Sequence, residues 1–319
     1  MLRKYQKLAI DQLYEWFRFN RHGNPCIVLP TGSGKSHVVA AICQDSIKRW
    51  PDTRILMATH VKELIEQNAE KMLLHWPDAP LGIYSAGIGR KESHCKITFA
   101  GIQSIRNKAH EIGHIDLMIV DEAHLISHNT DTSYRKLIDA LKIINPALRV
   151  VGLTATPYRL GHGMLTDDEG IFHDLIEPTS IEALVEDKYL APLRSKLTGT
   201  QLSVQGVHRR GGEFIEKELQ AAVNKSHTNA EVVREVIKLA GDRKAWLFFC
   251  AGVDHAHAIK DMLVDSGIPA ECITGETPKI ERERMIADFK SGRLRALTNA
   301  NVLTTGFDYP DIDLIAMIR

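Results

Sequence analysis

Apolar residues along this chain alternate between two spacings. Short unbroken apolar runs are each followed by a longer stretch whose apolar positions recur every three or four residues. Leu8, Leu13, Trp16 and Phe17 predict an amphipathic helix over residues 1–19. An apolar run at 26–29 predicts a buried strand, and 37–50 a helix. Further strands are predicted at 54–59, 97–100, 116–120 and 148–153, with a helix at 61–74. The rhythm returns after residue 227, with helices at 230–240, 253–263 and 279–290. Strands there are predicted at 245–250, 270–273 and 294–298. Strands alternating with helices predict an α/β fold with parallel sheets. The pattern is weakest over 177–226, read as a crossover with one helix at 213–224. Residues 161–170, rich in Gly and Asp, are expected to form a mobile loop. The expected division is therefore 1–176, a linker at 177–226, and 227–319.

Composition narrows the class. A length of 319 residues suits two domains. Formal net charge is +0, so no global basic field points to nucleic acid, and any such groove has to be local. The five cysteines are scattered without a Cys-x-x-Cys pair, which argues against a zinc site or disulfide framework and fits a reducing cytoplasm. No charged-then-apolar leader opens the sequence, and no apolar run is long enough for a bilayer. The expectation is a cytoplasmic protein without a membrane partner.

The chemistry concentrates between the first strand and the second helix. Leu29-Pro30-Thr31-Gly32-Ser33-Gly34-Lys35-Ser36 has the form of a phosphate-binding loop, with Leu29 in place of the first glycine. Glycines let backbone N–H groups turn onto phosphate oxygens, and the helix start adds its positive dipole end. Lys35 would reach the β- and γ-phosphates and Ser36 would hold Mg²⁺. Upstream, Arg3, Tyr5 and Gln6 open the first helix. The Gln6 amide carries a donor and an acceptor and can match an adenine edge, or it can be a polar helix surface.

Asp121-Glu122-Ala123-His124 ends an apolar strand. Adjacent acids there are costly unless a cation or a reaction uses them. Asp121 would hold Mg²⁺, and Glu122 would polarise the water that attacks the γ-phosphate, the two side chains pointing to opposite sides of the strand. His124 is read as a coupling residue. Thr154 and Thr156, in Thr-Ala-Thr-Pro157, are suited to sensing the γ-phosphate. Thr59 and His60, and Gln103 and Ser104, lie where strands give way to helices. They could contact a sugar-phosphate backbone or simply cap the helices. His208, Arg209 and Arg210 form a basic patch that could touch phosphates or be solvated.

The ordered set resembles the superfamily 2 helicases and translocases of the DEAD/DEAH-box kind. It comprises Arg3/Tyr5/Gln6, 31–36, 59–67, 121–124, 154–157, 248–251, Thr274-Gly275 and 303–310. The resemblance implies two RecA-like domains with parallel central sheets, ATP and Mg²⁺ between them, and a nucleic-acid strand across them. It implies that Gln6 reads adenine, that Lys35, Ser36, Asp121 and Glu122 carry hydrolysis, and that Thr154 and Thr156 couple it to movement. Thr59, Gln103, Ser104, Thr274 and Thr304 would lie near the strand, and Gly306 and Asp308 near the nucleotide. Thr-Ala-Thr, Arg3-x-Tyr5-Gln6 and Leu303-Thr-Thr-Gly-Phe-Asp-Tyr-Pro310 look like the restriction-motor, repair and phage-type branch, which favours DNA over RNA.

Two departures qualify the resemblance. Gly101 stands where that branch has Thr. The chain also stops at Arg319, before the family's Gln-x-x-Gly-Arg-x-x-Arg motif. The second domain is therefore expected to be incomplete at its C-terminus, with an arginine finger supplied by a partner or a missing segment. Two alternatives stay open: a nucleotide-gated nucleic-acid-binding module that barely turns over, and an RNA helicase.

Overall fold

The computed structural model describes residues 2–20, 22–60, 62–126, 133–159, 163–167, 170–196, 198–210, 213–303, 307 and 309–318. Contacts divide the chain into two compact units, Met1–Pro192 and Leu193–Arg319. The stretch 177–226, read from sequence as a linker, is thus shared between them.

The first unit opens with α1 (Lys4–Phe19), β1 (Pro25–Val28), α2 (Lys35–Arg49), β2 (Ile55–Thr59) and α3 (Lys62–His75). It continues through β3 (Leu81–Ser85), β4 (Arg90–Lys91), β5 (Ile97–Gly101), α4 (Ile102–Ile105), α5 (Ala109–Ile112), β6 (Leu117–Asp121), α6 (Ser133–Ile144) and β7 (Arg149–Thr154). A short ribbon, β8 (Tyr158–Arg159) with β9 (Gly163–Met164), precedes β10 (Asp174–Ile176) and α7 (Ile181–Glu186). The ribbon occupies part of the stretch expected to be a loop.

The sheet order is β10-β1-β7-β6-β2-β5-β3-β4. All neighbours are parallel except the edge pair β3–β4. Side-chain alternation sends Ile55, Met57 and Ile119 to one face, under α1, α2 and α3. Leu56, Ala58, Met118 and Val120 go to the other face, under α4, α5 and α6. Both faces are covered, which is why these strands read as unbroken apolar runs. Helix α6 buries Tyr134, Leu137, Ile138 and Leu141 on one stripe.

The second unit begins with a ribbon of β11 (Arg209–Arg210) and β12 (Glu213–Phe214), then α8 (Glu216–Val223) and α9 (Ser226–Ala240). It continues as β13 (Trp246–Cys250), α10 (Val253–Asp265), β14 (Ala270–Ile273), α11 (Lys279–Lys290), β15 (Ala296–Asn299) and β16 (Leu314–Ile318). The four long strands form a parallel sheet in the order β14-β15-β13-β16. Trp246, Phe248 and Cys250 face a core with α9 and α10, while Leu247, Ile273 and Leu297 face Met285 and Phe289 of α11. Ile315 and Met317 stand half exposed on the edge strand β16. Among the described residues no helix is long and apolar enough to cross a membrane.

Candidate nucleotide site

The site begins at the first helix. The Gln6 carbonyl oxygen Oε1 accepts the backbone N–H of Arg3 at 2.9 Å, and Gln6 Nε2 donates to the Ser33 carbonyl at 2.9 Å. The Tyr5 hydroxyl donates to that same carbonyl at 2.7 Å. Two buried side chains of α1 therefore fix one peptide of the glycine loop. An amide has two donor hydrogens and two acceptor lone pairs, so Gln6 retains one of each. Arg3 donates from Nη1 to the Tyr5 hydroxyl at 3.1 Å and lies over the Tyr189 ring, 4.6 Å from its centroid. Tyr189 meets Tyr5 edge to face at 5.5 Å. It belongs to this cluster, although nothing in its sequence surroundings singles it out.

β1 delivers Leu29, whose N–H donates to the Thr154 carbonyl at 2.9 Å and whose side chain is wholly buried. The residue in place of the first glycine is thus a core residue. The backbone reversal falls to Gly32 and Gly34, at φ +79° and +81°. A Cβ on Gly34 would lie 2.7 Å from Gln6 Nε2, so glycine is required there for both torsion and space. Ser33 Oγ is buried without a hydrogen-bond partner. Lys35 starts α2, and its Nζ reaches back to the Leu29 carbonyl at 3.4 Å.

The acids stand two strands away. Asp121 ends β6, with Oδ1 accepting the Glu122 N–H at 3.1 Å and Oδ2 accepting Asn68 Nδ2 at 3.1 Å. Ser36 Oγ donates to Asn68 Oδ1 at 2.8 Å. Burial pushes the Asp121 carboxyl up, opposed by the Asn68 hydrogen bond and the Lys35 charge. Burial also raises Glu122, again opposed by Lys35. Glu122 has left the strand: its φ is 51°, left-handed, and it caps a short 3-10 turn. The acids therefore diverge through this backbone turn, not through the strand alternation expected from sequence. His124 Nδ1 lies 3.0 Å from Thr154 Oγ1 and 3.4 Å from Glu122 Oε2. Thr154 Oγ1 also accepts the Thr156 N–H at 3.0 Å, which joins acid, histidine and both threonines in one network.

The carboxyl ends of the parallel strands β1 and β6, with β7 between them, thus present a left-handed glycine loop at a helix start, an orphaned serine hydroxyl, one lysine and one buried carboxylate. This donor set fits a phosphate chain with a divalent cation.

Residues 1–159 match the family model of the Type III restriction enzyme res subunit, and residues 228–319 match that of the Helicase conserved C-terminal domain. The chain belongs to the superfamily 2 helicases and translocases. A 51.5 kDa protein of a Lactococcus phage (isolate 7-9) is 26% identical over 91% of this chain and 58% of its own length. The DNA 3'-5' translocase XPB2 of Sulfurisphaera tokodaii is 27% identical over 98% of this chain and 73% of its own. The Hef helicase domain of Pyrococcus furiosus superposes with a TM-score of 0.62 at 17% identity, covering 99% of this chain and 89% of that one. That likeness concerns fold alone, and it makes both α/β units RecA-like. The chain spans 47–58% of the length of three of the curated relatives it matches.

The remaining sequence-predicted residues of this helicase-family chain fall in several places. Thr59 is buried with Oγ1 lacking a hydrogen-bond partner, and His60 beside it is exposed. Gln103 is exposed on α4, while Ser104 Oγ accepts the Ala86 N–H at 3.0 Å. These positions follow β2 and β5, on the same edge of the sheet as the nucleotide site. Thr274 lies in the second unit, bonded within its own turn to Thr277 and Glu276. Thr304, Gly306 and Asp308 lie outside the described residues. Two residues of the basic patch are engaged internally: His208 pairs with Glu218 at 2.9 Å, and Arg209 lies 4.5 Å from the Phe214 ring centroid.

Asn68 also belongs to the site and, like Tyr189, is not among the residues singled out from the sequence. Its signal was present: a polar residue on the buried stripe Ile65, Asn68, Ala69, Met72 of α3.

Proposed function

We propose that the chain is the ATP-hydrolysing core of a DNA translocase or helicase. The observation that carries this reading is the hydrogen-bonded set Ser36–Asn68–Asp121 beside Lys35, at the carboxyl ends of β1 and β6. The glycine-loop amides and Lys35 would hold the phosphates. Ser36 and Asp121 would hold Mg²⁺, which when bound supplies charge neutralisation at the phosphate oxygens. Glu122, its carboxyl raised by burial, is suited to orient a water and take its proton. The His124–Thr154–Thr156 network would relay the state of that acid to the strand that follows. The relative named a DNA 3'-5' translocase supports DNA as the track. Five free thiols support a reducing compartment.

The test is steady-state ATP hydrolysis with single-stranded DNA, duplex DNA or RNA. DNA is expected to stimulate turnover, and Glu122→Gln to lower it by about 10²- to 10⁴-fold. A variant as active as the parent overturns the hydrolysis reading. Stimulation by RNA alone overturns the choice of DNA.

A further inference from the structure

Asn68 stands between the two residues that the preceding reading assigns to the cation, and the present inference rests on that reading. It is 6% exposed and projects from the second turn of α3. Its two amide ends do different work. Oδ1 accepts the proton of the Ser36 hydroxyl at 2.8 Å, and Nδ2 donates to Asp121 Oδ2 at 3.1 Å.

The chemistry of an amide explains why this residue type suits the place. A hydroxyl whose proton is held by an acceptor presents its lone pairs in other directions. A carboxylate oxygen that receives one hydrogen bond is fixed in orientation and keeps a further lone pair. A neutral amide supplies the acceptor and the donor together, on one rigid planar group. An aliphatic side chain would leave a half-buried hydroxyl and a buried carboxylate oxygen each short of a partner. A second carboxylate would set like charges side by side.

We infer that Asn68 is a positioning residue for the cation: it turns the Ser36 proton away from the metal site, holds Asp121 Oδ2 in line, and thereby sets the affinity for Mg²⁺. Partners of this kind, one bond removed from a metal, typically change metal affinity by about 10- to 100-fold when lost. The glycine loop does not depend on Asn68, because its anchors are Tyr5 and Gln6. Loss of the amide therefore separates metal affinity from nucleotide affinity.

The test is equilibrium binding of a fluorescent ATP analogue to Asn68→Ala and Asn68→Ser, titrated with Mg²⁺ and repeated in EDTA, with circular-dichroism melts as the check on folding. In EDTA both variants are expected to bind the analogue as the parent does. The Mg²⁺ concentration at half-effect is expected to rise by about 10-fold or more in Asn68→Ala. The Ser variant, which keeps a donor and an acceptor on a shorter arm, is expected to fall between. Excess Mg²⁺ is expected to restore hydrolysis in both.

An unchanged Mg²⁺ requirement in a folded variant overturns the inference. So does an equal loss of analogue binding with and without Mg²⁺, which marks a structural role. A parent whose analogue binding ignores Mg²⁺ overturns the assignment of Ser36 and Asp121 themselves, a different result from failure of Asn68 alone.

Discussion

The two parallel sheets resemble each other in build and differ at their carboxyl edges. The first ends in ionisable groups: Lys35, a buried Asp121, Glu122 and His124, with both carboxyls pushed up by desolvation. At the second, the neutral side chains that end β15 bond to backbone groups. Asn299 donates to the Phe248 carbonyl at 2.9 Å and accepts the Leu303 N–H at 3.3 Å, and Thr298 donates to the Ala256 carbonyl at 2.9 Å. Its buried His255 accepts the Ala251 N–H on Nδ1 at 3.3 Å, a bond open only to the neutral ring. Two glycines, one in a strand and one in a turn, differ in the space around them. A Cβ on Gly152 in the first sheet would lie 2.7 Å from Phe172 ring atoms and 2.8 Å from Cys26 Sγ, whereas one on Gly275 in the second unit would meet nothing within 4 Å. A parallel sheet therefore does not by itself make a reaction site. The first unit tolerates costly buried charge where a ligand could use it, whereas the polar side chains that end β15 in the second are already bonded.

This contrast can be broken by acid. Burial lowers His255 from 6.5 to about 4, so the unfolded chain takes up this proton first as pH falls. The second unit is expected to keep full stability above about pH 6.5 and to lose up to about 3 kcal/mol between there and pH 4, then to level off. His255→Gln should flatten that slope, as read by hydrogen exchange of the α10 amides. A parent whose exchange is independent of pH after correction for intrinsic rates would contradict it. Packing gives the next largest effect. Gly152→Ala is expected to destabilise the first unit by about 1–3 kcal/mol in a thermal melt, through overpacking against Phe172. Gly275→Ala should stay within about 0.5 kcal/mol of the parent, and a larger loss would show the second unit to be tighter there than its geometry indicates.

Much of this was legible beforehand because both faces of each sheet are covered, which turns strands into plain apolar runs. The glycine loop, Asp121-Glu122 and Thr154 announced themselves by residue type at strand ends. Three strands and a helix stand out among the elements that were not expected. β3 contains Gly82 and a half-exposed Leu81, which dilutes its apolar signal, and β10 is only three residues long. β16 alternates exposed and buried positions and resembles a surface segment. Helix α6 carries a clean stripe, Tyr134, Leu137, Ile138 and Leu141, but lies between two louder motifs. Within the site, Asn68 and Tyr189 act through distance in space. Asn68 lies 53 residues from Asp121, and no local spacing encodes that approach. The backbone turn at Glu122 was hidden for another reason: a left-handed torsion on a non-glycine residue leaves no mark on composition.

The Ser33 carbonyl, held by Tyr5 and Gln6, has a practical consequence for gene design. Every residue of the phosphate-loop motif lies downstream of position 28, so a coding sequence opened at Lys7 would still encode the whole motif. It would encode a loop without its two clamps. The stretch that a cloning boundary most readily trims is the one that keeps the motif in shape.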